Sequence, residues 1–276
     1  MRSSRRSLVS GSVLLTGATG GIGHAIANAF AARGARLLLT GRRVDELERL
    51  AASVGGRAIA CDLAVPEQLE RLVAEAGEID VLVANAALPA SGHLNSFSAD
   101  QLDMILDVNL RAPIALARAL SPGMAERRRG QLVFVASLAS RAASPLSSLY
   151  SATKFGVRGF ALGLRQDLRR DGVGVSVVSA GFVRDAGMFA DANVSLPPGV
   201  GTSTSGQVAA AIVRAVERNR GEVTVAPLAM RIGADIAAVA PGLSASFQRL
   251  ARADRVAADL VSGQLDKRPA AADDED

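Results

Sequence analysis

Short apolar runs alternate with amphipathic runs along most of this chain, and that alternation leaves few folds open. Residues 13–16, 36–40, 57–61, 80–84, 131–137, 174–179 and 222–225 are short and lack polar alternation. Strands of that kind are buried on both faces, as in a parallel sheet. Between them, residues 22–33, 44–53, 66–75, 99–119, 148–170 and 207–218 carry helical patterning. Strand–helix alternation with right-handed crossovers stacks helices on both faces of one sheet. The expected fold class is therefore α/β: a doubly wound parallel sheet of about seven strands in one domain. That domain is expected over residues 9–226, after a disordered basic start at 1–8. A helical extension over 227–268 and an acidic disordered tail at 269–276 are expected to follow.

Composition closes several functional classes. Hydrophobic residues make up 49% of the chain, which excludes a disordered polymer. The single Cys61 excludes a disulfide scaffold and fits a reducing, cytoplasmic compartment. One Cys and two His leave no zinc cluster, so no metal is expected. With no Trp and one Tyr, nucleic-acid recognition by stacking is not expected. A net charge of +4 is no strong polyanion signal, although all basic residues but Lys154 and Lys267 are arginine. That bias is the pattern of a GC-rich bacterial genome. Arg5-Arg6 near the start has no signal-peptide cleavage site after it and reads as part of the basic start. No stretch reaches the ~18 uninterrupted apolar residues of a spanning helix. The nearest, 223–247, is broken by Pro227, Arg231, Asp235 and Pro241. It is expected to cover a pocket or an oligomer interface; the alternative is a helix lying on a membrane surface.

Thr16-Gly17-Ala18-Thr19-Gly20-Gly21-Ile22-Gly23 follows the first strand and opens the first helix. Gly17 permits a tight turn, Gly21 a close backbone approach to a pyrophosphate, and Gly23 close helix–strand packing. The helix N-terminus then offers free N–H groups and a favourable dipole to phosphates. An ordinary glycine turn is the alternative, but the flanking strand and helix are those of a dinucleotide-binding unit. The spacing T-G-x-x-x-G-x-G resembles the short-chain dehydrogenase/reductase family, which implies a Rossmann-type fold.

The resemblance implies cofactor contacts at Gly17, Thr19, Gly20, Gly21, Ile22, Gly23, Asn85, Ala86, Gly181 and Val183. At the end of the second strand Gly41 replaces the acidic residue of an NAD binder, and Arg42 follows. A guanidinium can clamp a 2′-phosphate through two parallel bonds, so the pattern implies NADP. NAD is the alternative, with Arg42 and Arg43 as a solvated loop pair. His24 occupies a site where NADP-using relatives often carry a cation. By the same resemblance Asp62 accepts from the adenine amino group and Leu63 packs on the ring. The alternative for Asp62 is a cap on the next helix, although Pro66 starts that helix naturally.

Tyr150 and Lys154 stand four residues apart, on one face of a helix. An ammonium near a phenol favours the phenolate and lowers its pKa from the ordinary ~10, making Tyr a plausible acid/base. Lysine is scarce here, so Lys154 needs a reason, and a compact, tunable ammonium is one. Ser137 ends the fifth strand thirteen residues earlier, at the ligand side of such a sheet. The resemblance assigns catalytic roles to Ser137, Tyr150, Lys154 and Asn109. Asn109 would hold a water linked to Lys154. The alternative is a buried Asn satisfying a helix kink near Pro113. The implied reaction interconverts a carbonyl and a secondary alcohol by hydride transfer, with Lys154 also binding the nicotinamide ribose. A non-catalytic dinucleotide sensor on the same fold would lack one of these four residues.

The sequence departs from the family pattern in three places. Ala87 replaces a glycine after Asn85-Ala86, Ala180 precedes Gly181 where a proline is usual, and Asp185 stands where a Thr binds the carboxamide. Asp185 could accept from the carboxamide, with Arg184 offsetting its charge. Residues 185–205 are expected to form a mobile lid, with a merely floppy connection as the alternative. Phe182, Met188 and Phe189 would give it an apolar wall for a small hydrophobic carbonyl or alcohol substrate. His93 reads as a solvated loop residue, with substrate contact as the alternative, and Cys61 as inert core. A homodimer or homotetramer through helices 99–119 and 148–170 is expected from the family.

Overall fold

Seven aliphatic runs pair edge to edge into one parallel sheet with the strand order β3-β2-β1-β4-β5-β6-β7. The strands are β1 (Ser12–Thr16), β2 (Arg36–Gly41), β3 (Arg57–Ala60), β4 (Val81–Ala84), β5 (Gly130–Ser137), β6 (Val173–Ala180) and β7 (Glu222–Val225). This computed structural model describes residues 7–192, 194, 196, 200–242 and 253–265. The acidic tail, most of the basic start, and Pro197, Pro198 and Gly199 of the expected lid lie outside the described residues.

The two-residue period of the strands splits the core into two layers. Leu14, Leu82, Leu132 and Phe134 face one side, Val13, Leu15, Val81 and Val133 the other. The first layer is closed by α3 (Pro66–Ala76), α5 (Ala112–Glu126) and α6 (Ser148–Asp167). The second is closed by α1 (Gly21–Ala31), α2 (Val44–Val54) and α8 (Ser205–Arg218). Strand order reverses between β1 and β4, which opens a crevice at the carboxyl ends of those strands.

The helix expected over 99–119 is three pieces: α4 (Ala99–Leu106), a π turn (Asp107–Arg111) and α5. The cause is Pro113, which has no N–H for the carbonyl of Asn109 in α-helical register. The helix expected over 148–170 ends as α6 at Asp167 and tightens into a 3₁₀ turn, Leu168–Asp171. Residues 185–205 contain α7 (Gly187–Asp191), and Ser203 bridges back to Val183 just before the segment. The extension contributes α9 (Leu228–Val239) and α10 (Ala253–Ser262). No helix among the described residues is long and apolar enough to cross a membrane.

Candidate active site

The glycine loop is built on contacts that exclude side chains. Gly17 has φ +63°, and a Cβ there would lie 2.7 Å from the Ala86 Cα, across the crevice. A Cβ on Gly23 would lie 2.3 Å from the Gly17 carbonyl oxygen. Asn85 fixes this loop from β4: its amide donates to the Thr16 and Gly17 carbonyls, both at 3.1 Å. The Thr16 hydroxyl in turn accepts from the N–H groups of Asn85 (3.0 Å) and Ala86 (3.1 Å). No side chain caps α1, so its first N–H groups face the crevice. Gly21 differs from expectation: the space a Cβ would fill holds the Ala186 Cβ, 2.6 Å away, so the segment before α7 rests on the loop.

At the end of β2, Gly41 faces the Thr19 side chain, while Arg42 and Arg43 reach outward. Arg43 is tied down, donating to the Thr19 carbonyl (2.7 Å) and pairing with Glu46 (2.9 Å). Arg42 is more than half exposed, its nearest acid being Asp62 at 4.0 Å. Asp62 caps no helix: Val65 is the N-cap of α3. Instead its carboxylate accepts from the Ala64 N–H at 3.0 Å, shaping the turn after β3. Leu63 is not a free ring platform, because it is buried in the core layer. Cys61 is buried beside it, and burial pushes its thiol up to about 11. Ile22 is partly buried, a Cβ on Gly20 would meet only the Gly17 carbonyl oxygen at 3.5 Å, and Val183 is buried. Gly181 donates its N–H to the Val225 carbonyl at 2.9 Å.

Ser137, Tyr150 and Lys154 converge where β5 ends beneath the first turns of α6. The Ser137 hydroxyl accepts from the Ala139 N–H (3.2 Å) and is close enough to the Tyr150 phenol to pull its pKa down. Lys154 is buried, its ammonium 5.6 Å from the centroid of the Tyr150 ring, and it donates to the Val135 carbonyl at 3.3 Å. Burial pulls its pKa to about 8. The expectation that Lys154 holds the phenol down needs correction. Burial pushes Tyr150 above its ordinary value, and the group that pulls against the shift is Ser137. The ammonium lies over the ring and donates to the Val135 carbonyl.

Asn109 lies buried in the π turn, which packs against α6. Its side chain does not reach toward Lys154. The carboxamide oxygen accepts from the Leu88 N–H (2.6 Å) and the amide donates to the Leu88 carbonyl (2.9 Å). The carboxamide is thereby committed to Leu88, as the kink reading expects. Asp185 is likewise engaged: its oxygens accept from the Ser205 N–H (2.8 Å) and hydroxyl (3.1 Å) at the start of α8. Burial pushes its carboxyl up, but those bonds and the nearby Arg184 outweigh it and hold the pKa low. Asp185 is thus anchored at the start of α8, where the helix dipole favours a negative charge. His93 is exposed. Phe182 and Phe189 stack with centroids 4.7 Å apart, beside a cavity lined by Arg184, Phe189, Val194, Leu196, Val200 and Thr202.

Two supports escaped sequence reasoning. Glu222 accepts from Arg158 (2.6 Å) on α6 and from Arg141 (2.7 Å), four residues after Ser137. Arg141 also pairs with Asp235 of α9. Arg158 shares the helix face of Tyr150 and Lys154, a signal readable in the spacing; Glu222 left none. The second is Gln264, buried, whose amide donates to the Met188 carbonyl of α7 at 3.4 Å.

The pattern of the short chain dehydrogenase family matches residues 12–195. A ketoacyl reductase, HetN, of Nostoc sp. (strain PCC 7120 / SAG 25.82 / UTEX 2576) is 39% identical over 222 residues, 77% of each chain. A metagenomic short-chain oxidoreductase solved in complex with NADP superposes with a TM-score of 0.67 at 29% identity. That match covers 78% of this chain and 96% of the other. A short-chain dehydrogenase from Sphingobium yanoikuyae in complex with NADPH superposes with a TM-score of 0.73 at 27% identity, covering 87% and 94%. With the seven-stranded parallel sheet and the crevice described above, these matches identify the chain as an oxidoreductase of the short-chain dehydrogenase/reductase family.

Proposed function

We propose that the chain is an NADP-dependent carbonyl reductase, able to run in reverse as a secondary-alcohol dehydrogenase. The observation that carries this reading is the convergence of Ser137, at the end of β5, with Tyr150 on α6, with Lys154 buried and its ammonium 5.6 Å from the Tyr150 ring centroid. The residues present fit a dinucleotide. Gly17 and Gly23 leave a cradle that a Cβ would fill, and α1 opens uncapped beside it. Gly41 carries no acid to repel a 2′-phosphate, and the exposed Arg42 guanidinium is at hand to bind one. Two structural relatives crystallised with NADP or NADPH support the choice over NAD.

A bound nicotinamide supplies or takes up the hydride. Ser137 and Tyr150 hold the substrate oxygen by their hydroxyls, which strengthens as that oxygen becomes more negative. Tyr150 delivers its proton to that oxygen, and a phenol raised by burial is a well-poised donor for reduction. Lys154 sits one helical turn behind to bind ribose hydroxyls and return a proton. Asn109 supports this group by fixing the π turn against the Leu88 segment. The Phe182–Phe189 wall and the ketoacyl reductase relative favour a hydrophobic carbonyl substrate. Leu106 and Phe155 are exposed on the two helices expected to join copies, so a homodimer or homotetramer through them is part of the proposal. So is a cytoplasmic setting.

The test is NADPH consumption over aliphatic, cyclic and aromatic ketones, with Tyr150→Phe as control. Turnover that Tyr150→Phe abolishes supports the reading; full turnover in that variant overturns the proton-transfer role. A higher kcat/KM with NADH than with NADPH overturns the cofactor choice. No turnover with tight NADPH binding would favour the dinucleotide sensor.

A further inference from the structure

One carboxylate sits where the pattern of the sheet calls for an aliphatic side chain. Glu222 of β7 is in register with Val177 of β6, which is in register with Phe134 of β5. Neighbours in register point to the same face, and Val177 and Phe134 are buried in the layer that α6 closes. On that face Glu222 meets two cations at once. Arg158 of α6 donates to both carboxylate oxygens (2.6 and 3.3 Å), and Arg141 reaches the first of them from the turn after Ser137 (2.7 Å). The three side chains are only 16% to 27% exposed. Ions taken this far out of water gain little or no stability over apolar packing, so the cluster asks for a reason other than stability.

We propose that Glu222 is a positioning residue for the reaction: its carboxylate holds the turn that presents the Ser137 hydroxyl and the helix that presents Tyr150 and Lys154 at a fixed separation. The inference rests on the proposed function, in which the hydroxyls of Ser137 and Tyr150 share one substrate oxygen. The route to Ser137 is short. Its hydroxyl oxygen accepts from the Ala139 N–H (3.2 Å), and the Ser140 hydroxyl donates to the Ser137 carbonyl (2.6 Å). Both partners lie in the 3₁₀ turn Leu138–Ser140. That turn closes at Arg141, whose N–H donates to the Leu138 carbonyl (2.9 Å) and whose guanidinium is held by Glu222 and Asp235. With Ala139 on its oxygen, the Ser137 hydroxyl keeps its proton for an acceptor in the crevice. The route to Tyr150 is the helix itself. Arg158 lies one turn past Lys154 and two past Tyr150, on the same side of α6. Reacting groups displaced by about 1 Å can lose about a hundredfold in rate, so a tie common to both elements bears on turnover.

The experiment reads the relation of Ser137 to Tyr150 without turnover, so it stands apart from the choice of substrate and cofactor. A ring-fluorinated tyrosine, more acidic than tyrosine, is incorporated at Tyr150, the only tyrosine of the chain. One fluorine resonance then follows its ionisation, with circular dichroism checking the fold at each pH. Ser137 pulls the phenol down, so loosening Ser137 raises the titration. Charge alone acts the other way: without the Glu222 carboxylate, Arg141 and Arg158 favour the phenolate. Glu222→Gln is expected to raise the titration, as Ser137→Ala does, and to add nothing in the Ser137→Ala background. Glu222→Asp keeps the charge and shortens the reach, and is expected to raise it by less. For any ketone that wild type reduces with NADPH, Glu222→Gln should lower kcat about tenfold with KM little changed. A chain that reduces no ketone yet shows the rise keeps this tie and loses the proposed function. A titration that falls or stays put in both Glu222 variants overturns the proposal. So does a rise of equal size in the Ser137→Ala background, or a kinetic change confined to KM.

Discussion

Asn109 closes both polar ends of its side chain on one residue, accepting from the Leu88 N–H and donating to the Leu88 carbonyl. This pair seals the loop after β4 to the π turn in a place without solvent. Asn109→Leu leaves both backbone groups of Leu88 buried and unpaired, each costing about 1–3 kcal/mol. We expect a drop in unfolding free energy of that size or more in denaturant titrations. Asn109→Asp, which keeps the acceptor but sets an oxygen against the Leu88 carbonyl in a buried site, should not recover the loss.

Tyr150 is the only phenol in the chain and there is no Trp, so its ionisation can be read by absorbance without interference. Burial places its pKa above the ordinary value, and Ser137 pulls it back. Ser137→Ala should therefore shift the titration further up. A downward shift would show that the Ser137 hydroxyl does not stabilise the phenolate.

Lys154 offers a trade between stability and function. Its pKa falls from 10.5 to about 8 on burial, so the unfolded chain holds this proton more tightly than the folded one. Stability therefore rises with pH between about 8 and 10.5, and below that window the folded state carries the full cost, on the order of 3 kcal/mol. Lys154→Met should be more stable than wild type at neutral pH. The gain should shrink as pH climbs through the window, while reductase turnover is lost throughout. Unfolding curves of both proteins across the window check the sign.

Glu222 joins the turn after Ser137 to α6 through Arg141 and Arg158. Burial pushes its carboxyl up, but the two guanidiniums outweigh that and hold it below its ordinary value. Its contribution is complete above the ordinary carboxylate range and fades as pH falls through the lowered value. Glu222→Gln should cost about 1–3 kcal/mol, between the worth of surface and buried pairs. It should also flatten the acid limb of the stability profile. Thermal melts over acidic pH decide it.

The sheet was legible because its strands are short and largely aliphatic, and the glycine loop because Gly17 and Gly23 mark places where backbone meets backbone. Tyr150 and Lys154 were legible because helical spacing alone sets them on one face. What stayed hidden depends on contacts across long separations. The Asn109–Leu88 pair spans 21 residues, and Arg158–Glu222 spans 64. Side-chain periodicity carries no record of either. The sign of the Tyr150 shift was hidden for a related reason: spacing tells which groups are near, but not how much water remains between them.

Ala186 resting on Gly21 has a kinetic meaning. A ligand that comes up against the backbone at Gly21 meets Ala186, and Ala186 is joined to the Phe189 wall by less than one turn of helix. Its other neighbour, Asp185, is anchored to Ser205 at the start of α8. Whatever docks first over the glycine loop thus shapes the room left for whatever docks second.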